Sequence, residues 1–290
     1  MEFQVKCDLC SSKQSSVLFN FPEYRVLSCG SCGLVFTDSS VYSRDLEIYS
    51  GDYYKKKYPK RYDSYTADYR KLENDSIINN YTNLLEQLEK FSAKGKMLDV
   101  GCATGVFLDI ARERGWEVQG IDVSKYAVHY ARKNFGLKAS VATIENLKAP
   151  DSYFDVITLH EVIEHVPSMK SVLKGARKKL KKNGLLLLTT IDSSSLISQL
   201  SGMLYHSTLG KINSPAQKCF QLQHTFHPTP EIMRLYFKET GFKEEWFNRS
   251  EIPVDKLQEG PLMTLVIGAI YLLQKLTGKT FLFEFIARKV

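Results

Sequence analysis

Between residues 96 and 191 the chain alternates short, unbroken apolar runs with segments of helical periodicity: KMLDVG then VFLDIARERG, WEVQGIDV then KYAVHYARKNFG, KASVAT, FDVITL then SVLKGARKKL, and GLLLLTT. A strand apolar on both sides must be covered on both sides, and parallel strands need helical crossovers. The alternation therefore predicts a doubly wound α/β sheet with its ligand at the carboxyl ends of the strands. Two more strand-like runs, FKEEWFN and FLFEFIAR, follow toward the C-terminus. With 290 residues and 43% hydrophobic content, one large domain with an appendage can bury an adequate core.

The appendage is announced by cysteines. Cys7, Cys10, Cys29 and Cys32 form two C-x2-C pairs separated by eighteen residues. That spacing predicts a four-thiolate zinc ribbon over residues 1–40, with Gly30 and Gly33 following the second pair where knuckle turns need positive φ. A unit this short cannot bury a sufficient core without its ion. A disulfide pair is the weaker alternative, because the opening MEFQVKCDLC lacks the apolar stretch of a secretory signal and a reducing, cytoplasmic setting is expected. Cys102 and Cys219 stand alone. Residues 41–92 read as a Tyr- and Lys-rich connector followed by an amphipathic helix from about 68 to 91, with Leu72, Ile77, Ile78, Tyr81, Leu84, Leu85 and Leu88 at helical spacing. The net charge of +7 permits a polyanionic partner without requiring one.

Two stretches carry chemistry. HEVIEH, His160 to His165, packs two imidazoles and two carboxylates into six positions directly after FDVITL. A zinc-protease helix needs His-Glu-x-x-His, but Glu164 stands four residues after His160; the reversed His-x-x-Glu-His form fails as well, so hydrolytic zinc is excluded. LDVGCATG, Leu98 to Gly105, occupies the first strand-to-helix turn, where glycines let backbone amides approach a ligand. It is not the dinucleotide G-x-G-x-x-G, because Ala103 and Thr104 break that pattern.

LDVGCATG resembles motif I of the class I S-adenosylmethionine-dependent methyltransferases, usually LDxGCGxG, with Ala103 where the middle glycine commonly stands. Four further segments are similar to that family in order: GIDVS with Asp122, VATIENL, FDVITL, and VLKGARKKLKKNGLLLLTT. The resemblance spans residues 95 to 192 and implies a seven-stranded Rossmann-like sheet over 93–290, with substrate-pocket insertions near 192–230 and 250–279. It implies that Asp99 orients the cofactor's amino group, and that Gly101 and Gly105, with Cys102 and Ala103 between them, admit the methionine portion. Asp122, beside Val123, would hold the ribose, Thr143, Ile144 and Glu145 would border the base, and His160 would close over the sulfonium side. Methyl transfer from an activated sulfonium then needs chiefly a positioned nucleophile, with a base for some oxygen and nitrogen acceptors.

Within HEVIEH, a short helical turn would put Glu161, Glu164 and His165 on one face. Similar E-x-x-E-H elements in ubiquinone-pathway O-methyltransferases and small-RNA ribose methyltransferases suggest a magnesium or manganese site formed with His224. The alternative is a metal-free role for these residues, with His224 and His227 of QLQHTFHPTP, as base or as braces of the substrate loops. The helix expected over PTPEIMRLYFKET stops at Gly241. PLMTLVIGAIYLLQKLTGK is too short to span a bilayer. Its stretch 262–276 is open to three readings: a core helix, a dimer contact, or an interfacial helix that places a cytoplasmic protein peripherally at a membrane. The acceptor expected is a small molecule or a glycan- or lipid-linked precursor. An RNA methyltransferase using KKKYPKR, Lys55 to Arg61, is the alternative, and a non-catalytic zinc-ribbon interaction protein is a third.

Overall fold

The computed structural model describes residues 6–38, 63–253 and 260–290; the run Lys55 to Arg61 lies outside the described residues. Three strands open it: β1 (Ser15–Asn20), β2 (Arg25–Cys29) and β3 (Val35–Thr37). Helix α1 (Ser76–Glu89) leads into β4 (Lys96–Val100), α2 (Val106–Glu113), β5 (Glu117–Asp122), α3 (Lys125–Phe135), β6 (Ala139–Val141) and β7 (Phe154–His160). Then come α4 (Met169–Lys179), β8 (Leu180–Ile191), α5 (Leu196–Ser207), α6 (Ser214–Cys219) and β9 (Phe226–His227). The chain continues through α7 (Pro230–Thr240), β10 (Phe242–Ser250), α8 (Pro261–Thr277) and β11 (Leu282–Lys289).

Seven strands form one sheet in the order β10-β11-β8-β7-β4-β5-β6. The strands β4 to β8 pair in parallel, while β11 runs antiparallel to both β8 and β10. This is the doubly wound α/β arrangement that the apolar alternation predicts. One face is closed by Leu84, Leu85 and Leu88 of α1 and by residues of α2 and α3 over Met97, Val156 and Leu187. The other is closed by Val172, Leu173 and Ala176 of α4 and by Ile232, Met233 and Tyr236 of α7 over Leu98, Ile157 and Leu186. Strand order reverses between β4 and β7, so the carboxyl ends of those two strands flank the crevice where a ligand is expected.

The helix expected from about 68 to 91 starts later. Asp75 caps it, accepting from the amides of Ile77 and Ile78, and residues 67–71 form a separate 3-10 turn capped by Thr66. The α7 boundaries fall where expected: Thr229 caps the Ile232 amide, Pro230 opens the helix, and Gly241 ends it at φ 75°.

The cysteine-bearing strands do not complete a sheet by themselves. Their antiparallel order is β1-β2-β3-β9, so the fourth strand comes from residues 226–227, nearly two hundred positions later. Leu27, Leu34 and Phe36 share a core with Leu159 of β7, Ile163 of the loop after it and Tyr236 of α7. Asp8, inside the first C-x2-C, accepts from Ser168 Oγ at 2.6 Å, the Lys170 amide at 3.1 Å and Tyr236 Oη at 2.8 Å, which anchors the knuckle to the start of α4.

At one position in the sheet a side chain is excluded outright. A Cβ on Gly120 of β5 would lie 2.6 Å from Cys102 Sγ and 2.8 Å from Leu108 Cδ1, both in packed surroundings. Gly120→Ala is therefore expected to lower unfolding stability by about 1–3 kcal/mol, read as a lower urea midpoint with an unchanged slope.

Candidate functional site

The carboxyl ends of β4, β5 and β7 bring the predicted cofactor residues together. Asp99 is buried on β4, and its Oδ1 accepts from Thr158 Oγ1 of β7 at 2.6 Å. Burial pushes its carboxyl up to about 7; the Thr158 hydrogen bond opposes this and the nearby Asp122 adds to it. Asp122 ends β5 and is also raised by burial, against the pull of amides on both of its oxygens. Its Oδ2 accepts from the Ala103 amide and its Oδ1 from the Ser124 amide, each at 2.8 Å, so this one carboxylate clamps the first glycine turn to the start of α3.

The turn itself bends left three times, at Gly101 (φ 77°), Ala103 (φ 46°) and Gly105 (φ 91°). Ala103 thus adopts the backbone that a glycine would take more easily in the family pattern. A Cβ on Gly101 would meet Val162 Cγ2 at 2.4 Å, which fixes how closely HEVIEH approaches the turn. Cys102 is not presented to a ligand: its thiol packs inward beside Gly120 and its amide donates to the Ile121 carbonyl at 3.0 Å. Of the segment after β6, Ile144 turns into the core beneath Gly175, leaving Thr143 half-buried and Glu145 and Val123 exposed.

The helical turn expected of HEVIEH is cut to one turn, closed by the His165 amide donating to the Val162 carbonyl at 2.9 Å, and it leaves Glu161 outside. Glu161 takes φ 52° with its side chain exposed, and its amide continues the sheet by donating to the Thr189 carbonyl at 2.9 Å. Glu164, His165 and His224 bring candidate ligand atoms within 4.8 Å of one another. Of the four-residue metal set expected from the sequence, these three members converge. His160 packs 4.2 Å from the Phe107 ring and 6.0 Å from the Tyr81 ring by centroids, with Nδ1 3.3 Å from Thr189 Oγ1. Its Nε2 is buried without a hydrogen-bond partner, and burial drives the imidazole down to about 3, so it is neutral at pH 7.

The two later histidines are delivered by the strap that ends in β9. The Glu164 carbonyl accepts from the Thr225 amide at 2.7 Å and the Phe226 amide at 3.1 Å. Thr37 Oγ1, on the cysteine-bearing side, donates to the His224 carbonyl at 2.6 Å and lies 3.1 Å from His227 Nε2. His165 Nδ1 donates to the Gln223 carbonyl at 3.0 Å, and its ring meets that of His224 edge-on at 4.8 Å. Glu164 Oε2 accepts from Thr190 Oγ1 at 2.9 Å; burial, with Glu161 adding, lifts its carboxyl to about 8. His227 is wholly buried, and burial together with His165 holds it down at about 3. It is uncharged at neutral pH, and its Nε2 against Thr37 links β3 and β9 from inside.

Sequence reasoning missed the cover over the glycine turn. Thr104 Oγ1 donates to the Tyr65 carbonyl, Tyr69 Oη donates to Asp109 Oδ2 at 2.9 Å, and Arg70 and Arg112 both pair with the buried Asp109. The signal available was the lone acidic residue within the otherwise apolar opening of VFLDIA. Thr158, the one hydroxyl in FDVITL, was the sign that a buried acid on β4 needed a partner.

At the other end of the molecule the four cysteine sulfurs also converge within 4.8 Å, with Cys7 and Cys32 Sγ 3.5 Å apart and Cys10 and Cys29 Sγ 3.6 Å apart. Four sulfurs at ~2.3 Å around a tetrahedral ion would be separated by about 3.8 Å, whereas a disulfide needs ~2.0 Å. The donor set thus fits a four-thiolate ion. Although burial raises the Cys29 thiol, the amides of Cys32 and Ser31 and its sulfur neighbours bring it down to about 7.

A family model described as "Methyltransferase domain" matches residues 70–245. An uncharacterised protein of Methanocaldococcus jannaschii is 28% identical over 183 residues, covering 63% of this chain and 80% of its own. The mitochondrial ubiquinone biosynthesis O-methyltransferase of Schizosaccharomyces pombe is 31% identical over 137 residues, 44% of this chain and 49% of its own, so the chain spans about half the length of that relative. Among solved structures, a SAM-dependent methyltransferase from Archaeoglobus fulgidus aligns at a TM-score of 0.50 and 20% identity, over 72% of this chain and 93% of that one. At that identity the likeness speaks for the fold.

Raised carboxyls make the site pH-sensitive in a defined direction. Glu164 moves from 4.5 to about 8 and Asp99 from 3.8 to about 7, so both stabilise the fold when protonated. Their contribution is fully present below the unfolded values and is lost as pH rises through the folded ones. Unfolding stability should therefore fall between pH about 4.5 and about 8 for the reason of Glu164 burial. In Glu164→Gln that fall should be shallower, measured by urea denaturation across the range.

Proposed function

Because the chain belongs to the class I S-adenosylmethionine-dependent methyltransferases, we propose that it transfers a methyl group to an oxygen, carbon or nitrogen of a small molecule or of a glycan- or lipid-linked precursor. The observation that carries this reading is the pair of buried acids at adjacent strand ends, Asp99 and Asp122, beside a left-handed glycine turn. S-adenosylmethionine supplies a methyl group already activated on a positive sulfur. Asp99, buried with only a threonine hydroxyl as partner, suits an ammonium group, and each oxygen of Asp122 retains lone-pair capacity for a ribose hydroxyl beyond the amide it accepts. Gly101 and Gly105 would admit the methionine portion, Thr143 and Glu145 would border the base, and the orphaned Nε2 of neutral His160 would offer one polar atom to the sulfonium side.

On the acceptor side, His165 is the residue we assign to taking a proton from an oxygen or nitrogen nucleophile, with His224 beside it. Glu164 and His227 act as braces: the Glu164 carbonyl accepts from the strap amides while its carboxyl accepts from Thr190, and His227 Nε2 lies against Thr37 of β3. A second reading, in which Glu164, His165 and His224 hold a divalent cation, draws support from the convergence of their donor atoms. Adding magnesium or manganese to chelated enzyme separates the two, since the brace reading expects no gain in methyl transfer. The small-molecule class is supported by the relatives named as ubiquinone O-methyltransferases. We further propose that Cys7, Cys10, Cys29 and Cys32 hold one structural zinc.

Two measurements test these assignments. Calorimetry with S-adenosylmethionine should show binding by the wild type that Asp122→Ala weakens by about 10- to 100-fold, the loss expected for charge-assisted hydrogen bonds. A wild-type chain that binds none overturns the proposal. Elemental analysis should find about one zinc per chain, absent from Cys29→Ser, which should also melt at a lower temperature.

A further inference from the structure

The helix α8 is built inside out. Its inward positions, Thr264, Ile267, Tyr271 and Gln274, recur at helical spacing, and Gln274 is fully buried with Nε2 donating to the Lys279 carbonyl at 2.8 Å. Its outward positions are leucines and a valine: Leu265 is 73% exposed, Leu272 66% and Leu276 83%, with Val266 and Leu273 alongside. On a water-facing helix this stripe should be polar. Helix α5 touches α8, its Leu196 amide donating to the Lys279 carbonyl at 3.0 Å, and adds exposed Leu200, Met203 and Leu204. A contiguous outward apolar face of this kind marks an interaction site.

Charge decides what covers it. From Gly260 to Lys279 and from Leu196 to Ile212 there is no acidic residue, while Lys275, Lys279 and Lys211 are present. A second copy paired face to face would bring two sets of lysines together, and Glu251, the acid beside Lys275, is half-buried and already accepts from the Phe281 amide. An anionic lipid surface answers both features at once, with acyl chains for the leucines and headgroups for the lysines. Helix α8, with 17 residues, is about 25 Å long at ~1.5 Å per residue, and among the described residues no helix is long and apolar enough to cross a membrane. We propose that α8 lies flat in the surface of an anionic bilayer and that α5 rests beside it there.

The consequence for the enzyme is geometric. Asp192, at the end of β8, donates its amide to the Phe281 carbonyl at 2.7 Å just beyond α8, so the membrane face is tied to the strand end that carries Thr189 and Thr190 of the acceptor side. The inference does not depend on the acceptor's identity.

The test is flotation of the full chain with vesicles of phosphatidylcholine, with or without phosphatidylglycerol. The wild type should float with the phosphatidylglycerol vesicles and release as salt is raised. The double variant Leu272→Glu, Leu276→Glu should stay at the bottom while keeping the wild-type melting temperature. Lys275→Gln with Lys279→Gln should lower partition by on the order of tenfold. Failure of the wild type to float overturns the proposal, as does equal binding to neutral vesicles. A concentration-dependent dimer that the leucine variant abolishes, without vesicle binding, overturns it in favour of a second copy. Because the readout is partition, these failures leave the methyltransferase reading untouched.

Discussion

The two amides of Thr225 and Phe226 that converge on the carbonyl of Glu164 hold the histidine cluster beyond β7 together. That carbonyl belongs to the loop leaving β7, and the strap it receives continues as β9 into the sheet of the cysteine-bearing strands. A backbone-to-backbone tie of this sort is indifferent to side-chain rotamer and sets the relative height of three elements at once. Around it the side chains fall into place: Thr37 against His224 and His227, Thr190 against Glu164, Gln223 against His165. Without this tie His224 and His227 would hang from the segment after α6, held to the loop of His165 by side chains alone.

The cofactor side relies on a different device. Two carboxyl groups are kept out of water at the ends of neighbouring strands, each paying a desolvation penalty that no basic side chain among the described residues offsets at Asp99. Burying them is costly for the empty fold and useful to a positively charged ligand, since attraction in a dry site is stronger than in water. Asp122 recovers part of its own cost from the Ala103 and Ser124 amides, and in doing so holds the glycine turn in its left-handed path. Stability and ligand affinity are thus set against each other at the same two residues.

Much of this was legible in the chain. Period and composition named each strand of the parallel sheet, since a two-sided apolar run such as GLLLLTT has no other soluble home, and the caps at Thr229 and Gly241 were readable residue by residue. The cysteine spacing likewise brought four sulfurs together. HEVIEH was the limit. Its spacing suited a helical turn that includes Glu161, but the amide of Glu161 is committed to β8 and the turn forms without it, and only the tertiary pairing reveals this. His227 looked like His224 in sequence because what separates them, a ring contact with Thr37 made by His227 alone, depends on a strand partner 190 residues away. Helix α8 is a related case: its apolar composition was plain, but which face pointed outward was not.

The fourth strand of the small sheet has a bearing on how the chain comes to be folded. Residues 15–37 meet the ribosome's exit long before residues 226–227 exist, and their edge at β3 has no partner until then. A metal bound early by the cysteines would keep that unit compact through the delay, holding an exposed strand edge away from other nascent chains. The unit made earlier is thus closed by a strand made later, and β10, α8 and β11 follow after both.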